Sequence, residues 1–391
     1  MKKIKLGIVG FGNMGSSHAV NVWSNQCPEV ELTAVADIVP SRLESAKKMA
    51  ADNNAECPNL FSTAEDMLDS GLVDAILVAT PHYDHPRYVI AAMNRGIHAM
   101  SEKPAGVYTK QVREMIHEAD KHPDLTFAMM FNQRTNCIYR KMKEIMDSGE
   151  LGELRRTSWI ITDWYRPQFY YDSGAWRATW SGEGGGVLLN QCPHQLDLWQ
   201  WICGMPISID VKMHFGKWHD IEVEDDVTAY CTYANGATGT FITTTGDTPG
   251  ANRFEIVCSK GTLVCEGGKL IMYKLEMSEP EFSRTNKTDI FGRPKTQRIE
   301  VETDGQNLQH VGVLNAFAAN ILRGEPLVAD GREGINGLTI SNAMHLSAWT
   351  EKEIKLPFDE ELYYEELMKR VDTSRRKPEM ESVLADTKGS Y

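Results

Sequence analysis

A glycine-rich turn near the start of the chain constrains the fold more than any other feature. The run GFGNMG follows directly on the apolar stretch KIKLGIVG and precedes a segment compatible with a helix. In such a strand–turn–helix unit, Gly10 permits the tight turn, Gly12 lets the backbone approach a diphosphate, and Gly15 lets helix and strand pack closely. The sequence therefore predicts a dinucleotide-binding turn. Its predicted contacts are Gly10, Phe11, Gly12, Asn13, Met14 and Gly15.

The rest of the first third of the chain alternates between two kinds of pattern. Short apolar runs that predict strands lie at residues 30–37, 73–80, 96–102 and 125–131. Segments with helical periodicity lie between them, for example at 41–52 and 109–122, where Thr109 is expected to open the helix. Ser62 and Glu65 predict a capping box at another helix start. This alternation predicts a parallel sheet covered on both faces, and hence an N-terminal Rossmann domain over residues 1–130.

Asp37 bears on the choice of dinucleotide. It stands at the end of the second predicted strand, about 20 residues beyond Gly15, where a carboxylate can accept hydrogen bonds from the adenosine ribose. Its negative charge would repel a 2′-phosphate, so the sequence predicts NAD rather than NADP. Arg42 follows closely, and a guanidinium there could accommodate that phosphate, which keeps NADP open as an alternative.

Two later loops follow predicted strands, at the edge where ligands bind in open parallel sheets. One reads ATPHYDHP and the other SEKPAGVY. We expect Lys103 to lie beside the reactive ring of the cofactor and to stabilise an alkoxide as hydride leaves, although a surface lysine is the alternative. The contacts predicted from these loops are Thr80, Pro81, His82, His85, Glu102 and Lys103. The later run FNQR adds Asn132 and Arg134 as cofactor or substrate contacts.

The segment LLNQCPHQLDLWQ, residues 188–200, concentrates reactive side chains. Helical rotation points Cys192 and His194 in different directions, which excludes a Cys-His nucleophile pair if the segment is a helix. Pro193 belongs in the first turn, so Asn190 is a candidate cap. One histidine, one carboxylate and one amide are too few ligands for a metal, and no metal site is predicted. His194 is predicted to be the base and Asp197 to hold its ring; a packing role for His194 is the alternative.

An aromatic segment, DWYRPQFYYDSGAWRATW, lies just upstream at residues 163–180. Aromatic faces stack on the C–H faces of sugar rings, and Arg and Tyr supply directional hydrogen bonds. This composition fits two interpretations equally well: a carbohydrate-binding loop, and a loop that packs at a subunit or domain interface. The predicted substrate contacts are Lys103, Tyr165, Trp176, Arg177, Gln191 and His194.

Taken together, the glycine turn, Asp37, the tripeptide at residues 102–104 and the run GGGVLLNQCPHQLD resemble the glucose-fructose oxidoreductase/inositol dehydrogenase (Gfo/Idh/MocA) family, nearly end to end. The resemblance implies a second, α+β domain over residues 131–391, with a large open, mostly antiparallel sheet whose exposed face forms homodimers or homotetramers. Many members have an aspartate at the position of Asn190, in a catalytic trio with the lysine and histidine. Asn190 departs from that pattern, because an amide cannot take up a proton. We therefore expect the catalytic set to be Lys103, His194 and Asn190, with Asn190 limited to orientation and hydrogen bonding.

Composition excludes several other classes. The 391 residues carry a net charge of -13 without a basic stripe, so nucleic acid is not an expected partner. No run approaches the ~20 apolar residues needed to cross a bilayer, so no membrane partner is expected. The eight cysteines are irregularly spaced, which suits a reducing cytoplasm. The charged end, residues 373–391, is expected to be a peripheral extension.

These observations predict an NAD-dependent oxidoreductase acting on a small carbohydrate. Hydride would leave a secondary hydroxyl-bearing carbon of a sugar, glycoside, anhydrosugar or cyclic polyol, with His194 as base and Lys103 polarising the oxygen. The alternative is a redox-neutral glycosidase or lyase, which oxidises its substrate transiently, eliminates a substituent and reduces the product again. A third class, a nucleotide-sensing regulator without chemistry, would not need Lys103 and His194.

Overall fold

The computed structural model describes residues 2–375 and residue 377. Its first layer is a sheet of six parallel strands in the spatial order β3–β2–β1–β4–β5–β6. Every residue of the central strand AILV is buried, as expected where helices cover both faces. The strands are β1 (Ile4–Val9), β2 (Val30–Ala36), β3 (Asn59–Phe61), β4 (Ala75–Val78), β5 (His98–Ser101) and β6 (Phe127–Met129).

Helices connect these strands, and the Rossmann prediction is confirmed. The helix expected to open at Thr109 does so, but the predicted capping box at Ser62 is wrong by one residue. Thr63 is the N-cap, and its Oγ1 accepts a hydrogen bond of 3.1 Å from the backbone N–H of Asp66. The helices of this half are α1 (Asn13–Trp23), α2 (Pro40–Asp52), α3 (Ala64–Asp69), α4 (His85–Met93) and α5 (Thr109–Lys121), with 3-10 turns at His82–Asp84 and Asn132–Thr135.

The strand order reverses direction at β1. The chain first runs outward through β2 and β3, then returns to β4 and runs outward through β5 and β6 on the other side. A crevice opens at the carboxyl ends of the strands where such a reversal occurs. The glycine turn after β1 and the loops after β4 and β5 all lie at this edge.

The second layer is a sheet of nine strands in the order β14–β13–β12–β11–β7–β10–β9–β8–β15. Only the pairing of β7 with β10 is parallel, so the expectation of a mostly antiparallel sheet is confirmed. The strands are β7 (Leu154–Ile161), β8 (Ser208–Phe215), β9 (Glu224–Thr232), β10 (Thr238–Thr244), β11 (Asn252–Cys258), β12 (Gly261–Glu266), β13 (Lys269–Leu275), β14 (Thr296–Glu300) and β15 (Ile354–Lys355).

Helices pack on one face of this second sheet. The indole of Trp199 donates a hydrogen bond of 3.0 Å to Thr157 Oγ1 on β7 and stacks on Phe241 of β10, which fixes one helix against the sheet. The helices in this later part of the chain, not all of which pack on the second sheet, are α6 (Cys137–Ser148), α7 (Gln168–Asp172), α8 (Pro193–Cys203), α9 (Glu279–Thr285), α10 (Gln309–Arg323), α11 (Gly334–Thr350) and α12 (Glu360–Thr373), with a 3-10 turn at Gly331–Glu333.

Helix α10 returns to the first sheet although it lies late in the sequence. Its side chains Val313 and Phe317 belong to the same buried cluster as Leu6 and Ile8 of β1. The chain therefore passes between the two layers more than once. A division at residue 130 stays a prediction that does not account for α10.

Two remaining expectations concern the surface. Among residues 2–375 and 377, no helix combines the length and the apolar character needed to cross a bilayer. The expectation of a peripheral extension concerns residues 373–391, most of which lie outside the described residues. Where that segment is described, Ser374 Oγ donates a hydrogen bond of 2.6 Å to Glu222.

Candidate active site

The glycine turn after β1 is closely packed. Gly10 adopts a φ of +92°, and a Cβ placed there would lie 2.7 Å from the carbonyl oxygen of Ala79. A Cβ at Gly15 would lie only 2.0 Å from the carbonyl oxygen of Gly10. Any side chain at either position would therefore push apart the turn, β4 and α1, because neither contact can relax by a change of rotamer.

Gly12 provides space for a ligand. It is the N-cap of α1, and no side chain caps this helix end. A Cβ at Gly12 would meet only the guanidinium of Arg42, at 3.4 Å, so the space in front of the backbone is otherwise open. An uncapped helix N-terminus with an open approach suits a diphosphate. The turn therefore fits the dinucleotide that its sequence predicts.

Asp37 is fixed at the end of β2. Its Oδ2 accepts a hydrogen bond of 2.7 Å from the backbone N–H of Phe11, and its Oδ1 accepts one of 2.8 Å from Val39. The guanidinium of Arg42 lies 3.6 Å from Oδ2. A carboxylate oxygen has a second lone pair, so Asp37 retains acceptor capacity for ribose hydroxyls.

The loop after β4 places the two predicted histidines, His82 and His85, in different surroundings. The ring nitrogens of His85 lie 2.7 Å from the carbonyl oxygen of Pro104 and 2.8 Å from that of Thr80. Both nitrogens are thus engaged by backbone, so His85 is removed from the predicted cofactor contacts. His82 is buried, and its Nδ1 donates to the carbonyl oxygen of Glu183 at 3.1 Å. The loop also contains Pro81, the N-cap of the 3-10 turn.

Glu102 anchors the loop after β5. His18 on α1 donates a hydrogen bond of 2.7 Å to Glu102 Oε1, and the backbone N–H of Lys103 donates to Oε2 at 3.1 Å. Burial raises the pKa of Glu102, but the hydrogen bond and charge of His18 outweigh this effect and lower the pKa to about 2. Glu102 is therefore an anion held within the protein, and it fixes the backbone that carries Lys103.

Lys103 crosses from the first layer to the glycine-rich segment of the second. Its Nζ donates a hydrogen bond of 2.9 Å to the backbone carbonyl of Asn190. Burial lowers the pKa of Lys103, while the negative charges of Glu102 and Glu183 act in the opposite direction. The lysine therefore joins the two halves of the cleft and keeps two donor hydrogens for a further acceptor.

His194 lies in the same cleft, in the first turn of α8 behind Pro193. It is buried, and neither ring nitrogen has a hydrogen-bond partner among the described residues. Burial lowers its pKa well below the ordinary value, and the nearby charge of Lys103 lowers it further. The structure therefore brings together the two residues on which the predicted chemistry depends.

Two predictions about this helix are wrong. Asp197 does not hold His194; it forms a two-point ion pair with Arg134, at 2.8 and 2.7 Å, within the protein interior. Arg134 is consequently not a ligand contact either. Cys192, not Asn190, is the N-cap of α8. Its thiol lies beside Thr243, and burial raises the pKa of Cys192 to about 12, which removes it as a nucleophile.

Asn190 connects several groups, including one that the sequence did not single out. Its amide donates a hydrogen bond to Glu183 Oε1, and its Oδ1 accepts one of 3.3 Å from the hydroxyl of Tyr170. Glu183 is buried, and burial raises its pKa, against the opposing charge of Arg177. The signal that could have found Glu183 is a lone carboxylate within an otherwise glycine-only run.

The aromatic segment partly reaches this site. The guanidinium of Arg177 lies over the rings of Tyr170 and Trp176, at 4.6 and 4.7 Å, and donates to the Tyr170 hydroxyl at 3.0 Å. Gln191 donates to the same hydroxyl at 3.3 Å. Trp176 meets the edge of the His82 ring. Tyr165 is 45% exposed, and among the described residues no hydrogen bond or ring contact joins its side chain to this group.

Other buried polar atoms near the cleft lack partners within the described chain. They include Thr80 Oγ1 and Asn132 Oδ1. The amide nitrogen of Asn132 instead donates to Gln309 at the start of α10. Unpartnered polar atoms inside a protein are costly, so their presence at a crevice fits a polar ligand. In the described part of the chain, no group of three or more His, Cys, Asp or Glu residues is arranged to hold a metal ion.

Comparison with known proteins places this geometry in a family. Residues 4–130 match a family model described as an oxidoreductase family with an NAD-binding Rossmann fold, and residues 139–264 match the GFO/IDH/MocA C-terminal domain. The chain is 24% identical over 364 residues to myo-inositol 2-dehydrogenase of Thermotoga maritima, covering 90% of this chain and 98% of that protein. It is 30% identical over 205 residues to the rhizopine catabolism protein MocA of Rhizobium meliloti, covering 52% and 58%.

Solved structures agree. The WlbA dehydrogenase from Bordetella pertussis, solved with NADH and UDP-GlcNAcA, is 26% identical, with a TM-score of 0.76 over 92% of this chain and 100% of that one. Levoglucosan dehydrogenase with NADH shares the fold at 19% identity, with a TM-score of 0.74 over 92% and 100%. The chain is an oxidoreductase of the GFO/IDH/MocA family, and its first domain is an NAD-binding Rossmann domain.

Proposed function

We propose that this protein oxidises a secondary hydroxyl group of a sugar, glycoside, anhydrosugar or cyclic polyol. The observation that carries the proposal concerns Lys103 and His194, which come from different layers. Lys103 bonds the carbonyl of Asn190, shortly before α8, and lies near enough to His194 in the cleft for its charge to lower the pKa of that histidine. Bound NAD would be held by the glycine turn and Asp37, and it supplies the hydride acceptor. The substrates in the names of its relatives, inositol and levoglucosan, support a carbohydrate class.

His194 is the proposed base. A secondary alcohol must lose its hydroxyl proton as its carbon loses hydride, and a neutral imidazole can accept that proton. The lowered pKa keeps His194 neutral near pH 7, and neither of its ring nitrogens has a hydrogen-bond partner in the part of the chain that the structure describes. An unpartnered neutral imidazole in a buried site is therefore ready to accept a hydrogen bond from the substrate hydroxyl.

Lys103 is proposed to hold the same oxygen. One of its three hydrogens is donated to the carbonyl of Asn190, which orients the ammonium group. The remaining hydrogens can donate to the substrate oxygen, and the positive charge stabilises the alkoxide that develops during oxidation. Lys103 therefore polarises the hydroxyl, while His194 takes the proton.

The aromatic segment is proposed to bind the sugar ring. Trp176 and Arg177 lie beside His82 and Tyr170, next to the residues that position Lys103. Gln191 joins them through the Tyr170 hydroxyl. Tyr165, which is exposed, would reach only a substrate that extends out of the cleft.

A homodimer or homotetramer in the cytoplasm completes the proposal. On the second sheet, Ile160 and Ile242 are paired on the face opposite the buried residues, and Tyr230 on the neighbouring strand is exposed. A second copy covering this face would bury them. All eight thiols are free, which suits a reducing compartment. Sedimentation of the purified protein tests the oligomer.

A screen for NAD reduction across inositols, monosaccharides, anhydrosugars and glycosides tests the function. We expect stoichiometric NADH from one of these classes, with loss of about 10²-fold or more of kcat in Lys103→Ala and His194→Ala. Lys110→Ala, which removes an exposed lysine, is the matched control and should retain activity. Release of an aglycone without net NADH would support the redox-neutral alternative instead. Full turnover in both site variants would refute the assignment.

A further inference from the structure

Glu183 is a buried carboxylate to which the proposed reaction assigns no role. It is 2% exposed and lies between the aromatic segment and the glycine-rich segment. One carboxylate oxygen accepts a hydrogen bond from the Asn190 amide, and the other accepts one of 2.5 Å from the backbone N–H of Ala178. No lysine or arginine within the described chain forms an ion pair with it at contact distance, so its charge acts across a gap.

The charged and titratable groups that face Glu183 define the field in which it acts. Arg177, on the aromatic segment, favours its ionised form, while Glu224 on β9 disfavours it. Its own charge reaches Lys103 and Tyr171. The ring of His82 contacts its backbone carbonyl. Among these groups, Lys103 is the one that would touch the reacting oxygen.

Asn190 connects the carboxylate of Glu183 with the ammonium group of Lys103. The side-chain amide of Asn190 donates to Glu183, while the backbone carbonyl of Asn190 accepts from Lys103 Nζ. When Glu183 is ionised, its acceptor oxygens fix which way the amide points. Protonation of Glu183 would replace an acceptor by a donor facing the amide N–H groups, so the arrangement would have to change.

We propose that Glu183 is a positioning residue whose negative charge keeps Lys103 in its protonated form and orients Asn190. This inference rests on the proposed function. Glu183 does not touch the substrate; it acts through Lys103 and Asn190. Without the charge of Glu183, Lys103 loses one of the two carboxylates that oppose the effect of desolvation on its pKa, Glu102 being the other. The neutral amine would then stabilise a developing alkoxide poorly.

The test compares Glu183→Gln with the wild type in the protein without substrate. Lys103 is partly exposed, so its titration can be followed by competitive acetylation with acetic anhydride, read by mass spectrometry across a range of pH. We expect Glu183→Gln to lower the pKa of Lys103 by about 1. Glu302→Gln, which removes an exposed carboxylate just beyond the end of β14, is the matched control and should leave the titration of Lys103 unchanged.

A double variant separates this role from simple packing. Glu183→Gln with Asn190→Asp exchanges the donor and acceptor of one hydrogen bond and keeps one carboxylate beside Lys103. We expect Glu183→Gln to lower kcat at least 10-fold, with an unchanged KM for NAD, and the double variant to recover most of that loss. If Glu183→Gln does not fold, the double variant alone decides, since more than 100-fold loss of kcat in a folded double variant would overturn the proposal.

The outcomes separate the inference from the function beneath it. An unchanged Lys103 titration in folded Glu183→Gln would overturn the inference, whatever the enzyme oxidises. If no carbohydrate in the screen supports NAD reduction by the wild-type protein, the proposed function is overturned instead. The acetylation result would still report on the electrostatic coupling between Glu183 and Lys103.

Discussion

Replacement of Asp197 by Asn tests the assignment of this carboxylate to the fold rather than to His194. Arg134 and Asp197 form a two-point ion pair, at 2.8 and 2.7 Å, with side chains 2% and 1% exposed. Removing one member of such a pair typically costs about 3–5 kcal/mol, because the other charge remains buried. Glu333 also contacts Arg134, at 2.7 Å, so part of the compensation survives. We therefore expect Asp197→Asn to lower the free energy of unfolding by about 3 kcal/mol, the lower end of that range.

Urea unfolding, followed by the fluorescence of the tryptophans, measures this loss. Asp120→Asn is the matched control, because Asp120 pairs with Arg332 at 2.7 Å on the surface, and we expect a change within about 0.5 kcal/mol. The folded Asp197→Asn protein should retain the pH dependence of kcat/KM, since His194 makes no hydrogen bond to Asp197. A stable Asp197→Asn protein whose pH profile of kcat/KM is displaced would refute this reasoning and would support the prediction that Asp197 holds the ring of His194.

Three further predictions concern the cofactor and the base. Asp37→Ser should weaken NAD binding about 10-fold, or about 1.4 kcal/mol, by removing the ribose acceptor; calorimetry measures it, and tighter binding of NADP than of NAD to the wild type would contradict the assignment. Gly15→Ala should abolish NAD binding, because its Cβ would lie 2.0 Å from the carbonyl oxygen of Gly10; equilibrium dialysis checks this, and wild-type affinity would contradict the packing. Because burial lowers the pKa of His194, the base stays neutral down to that pKa, so kcat/KM should fall only below about pH 6.5 as acid protonates it. An acid limb well above that pH would contradict the role of His194.

The first domain was predictable because its signals are local. A glycine turn that joins a strand to a helix has few structural solutions, and the contacts of Gly10 and Gly15 explain why both are glycine. The mostly antiparallel second sheet came only from the family resemblance. Its strands are recognised by that likeness, since their pairing joins residues far apart in the chain.

The wrong site assignments share one physical cause. Helical phase correctly places His194 and Asp197 on neighbouring positions of α8, but it does not reveal what faces them. Arg134 comes from the 3-10 turn after β6 and captures the carboxylate. Glu183 was missed for a related reason. A lone carboxylate in a glycine run marks it in the sequence, but its burial and its electrostatic effect on Lys103 depend on residues far apart in the chain.

The return of α10 to the first sheet has a mechanical consequence. The polypeptide links the two layers near residue 130 and again on either side of α10, so neither half is an independent domain joined to the other by a single linker. A fragment that ends at residue 130 would expose the apolar surface of the first sheet that Val313 and Phe317 of α10 cover in the full chain. Any opening of the cleft that keeps α10 docked must therefore strain all three connections together, so the two halves cannot move independently of each other.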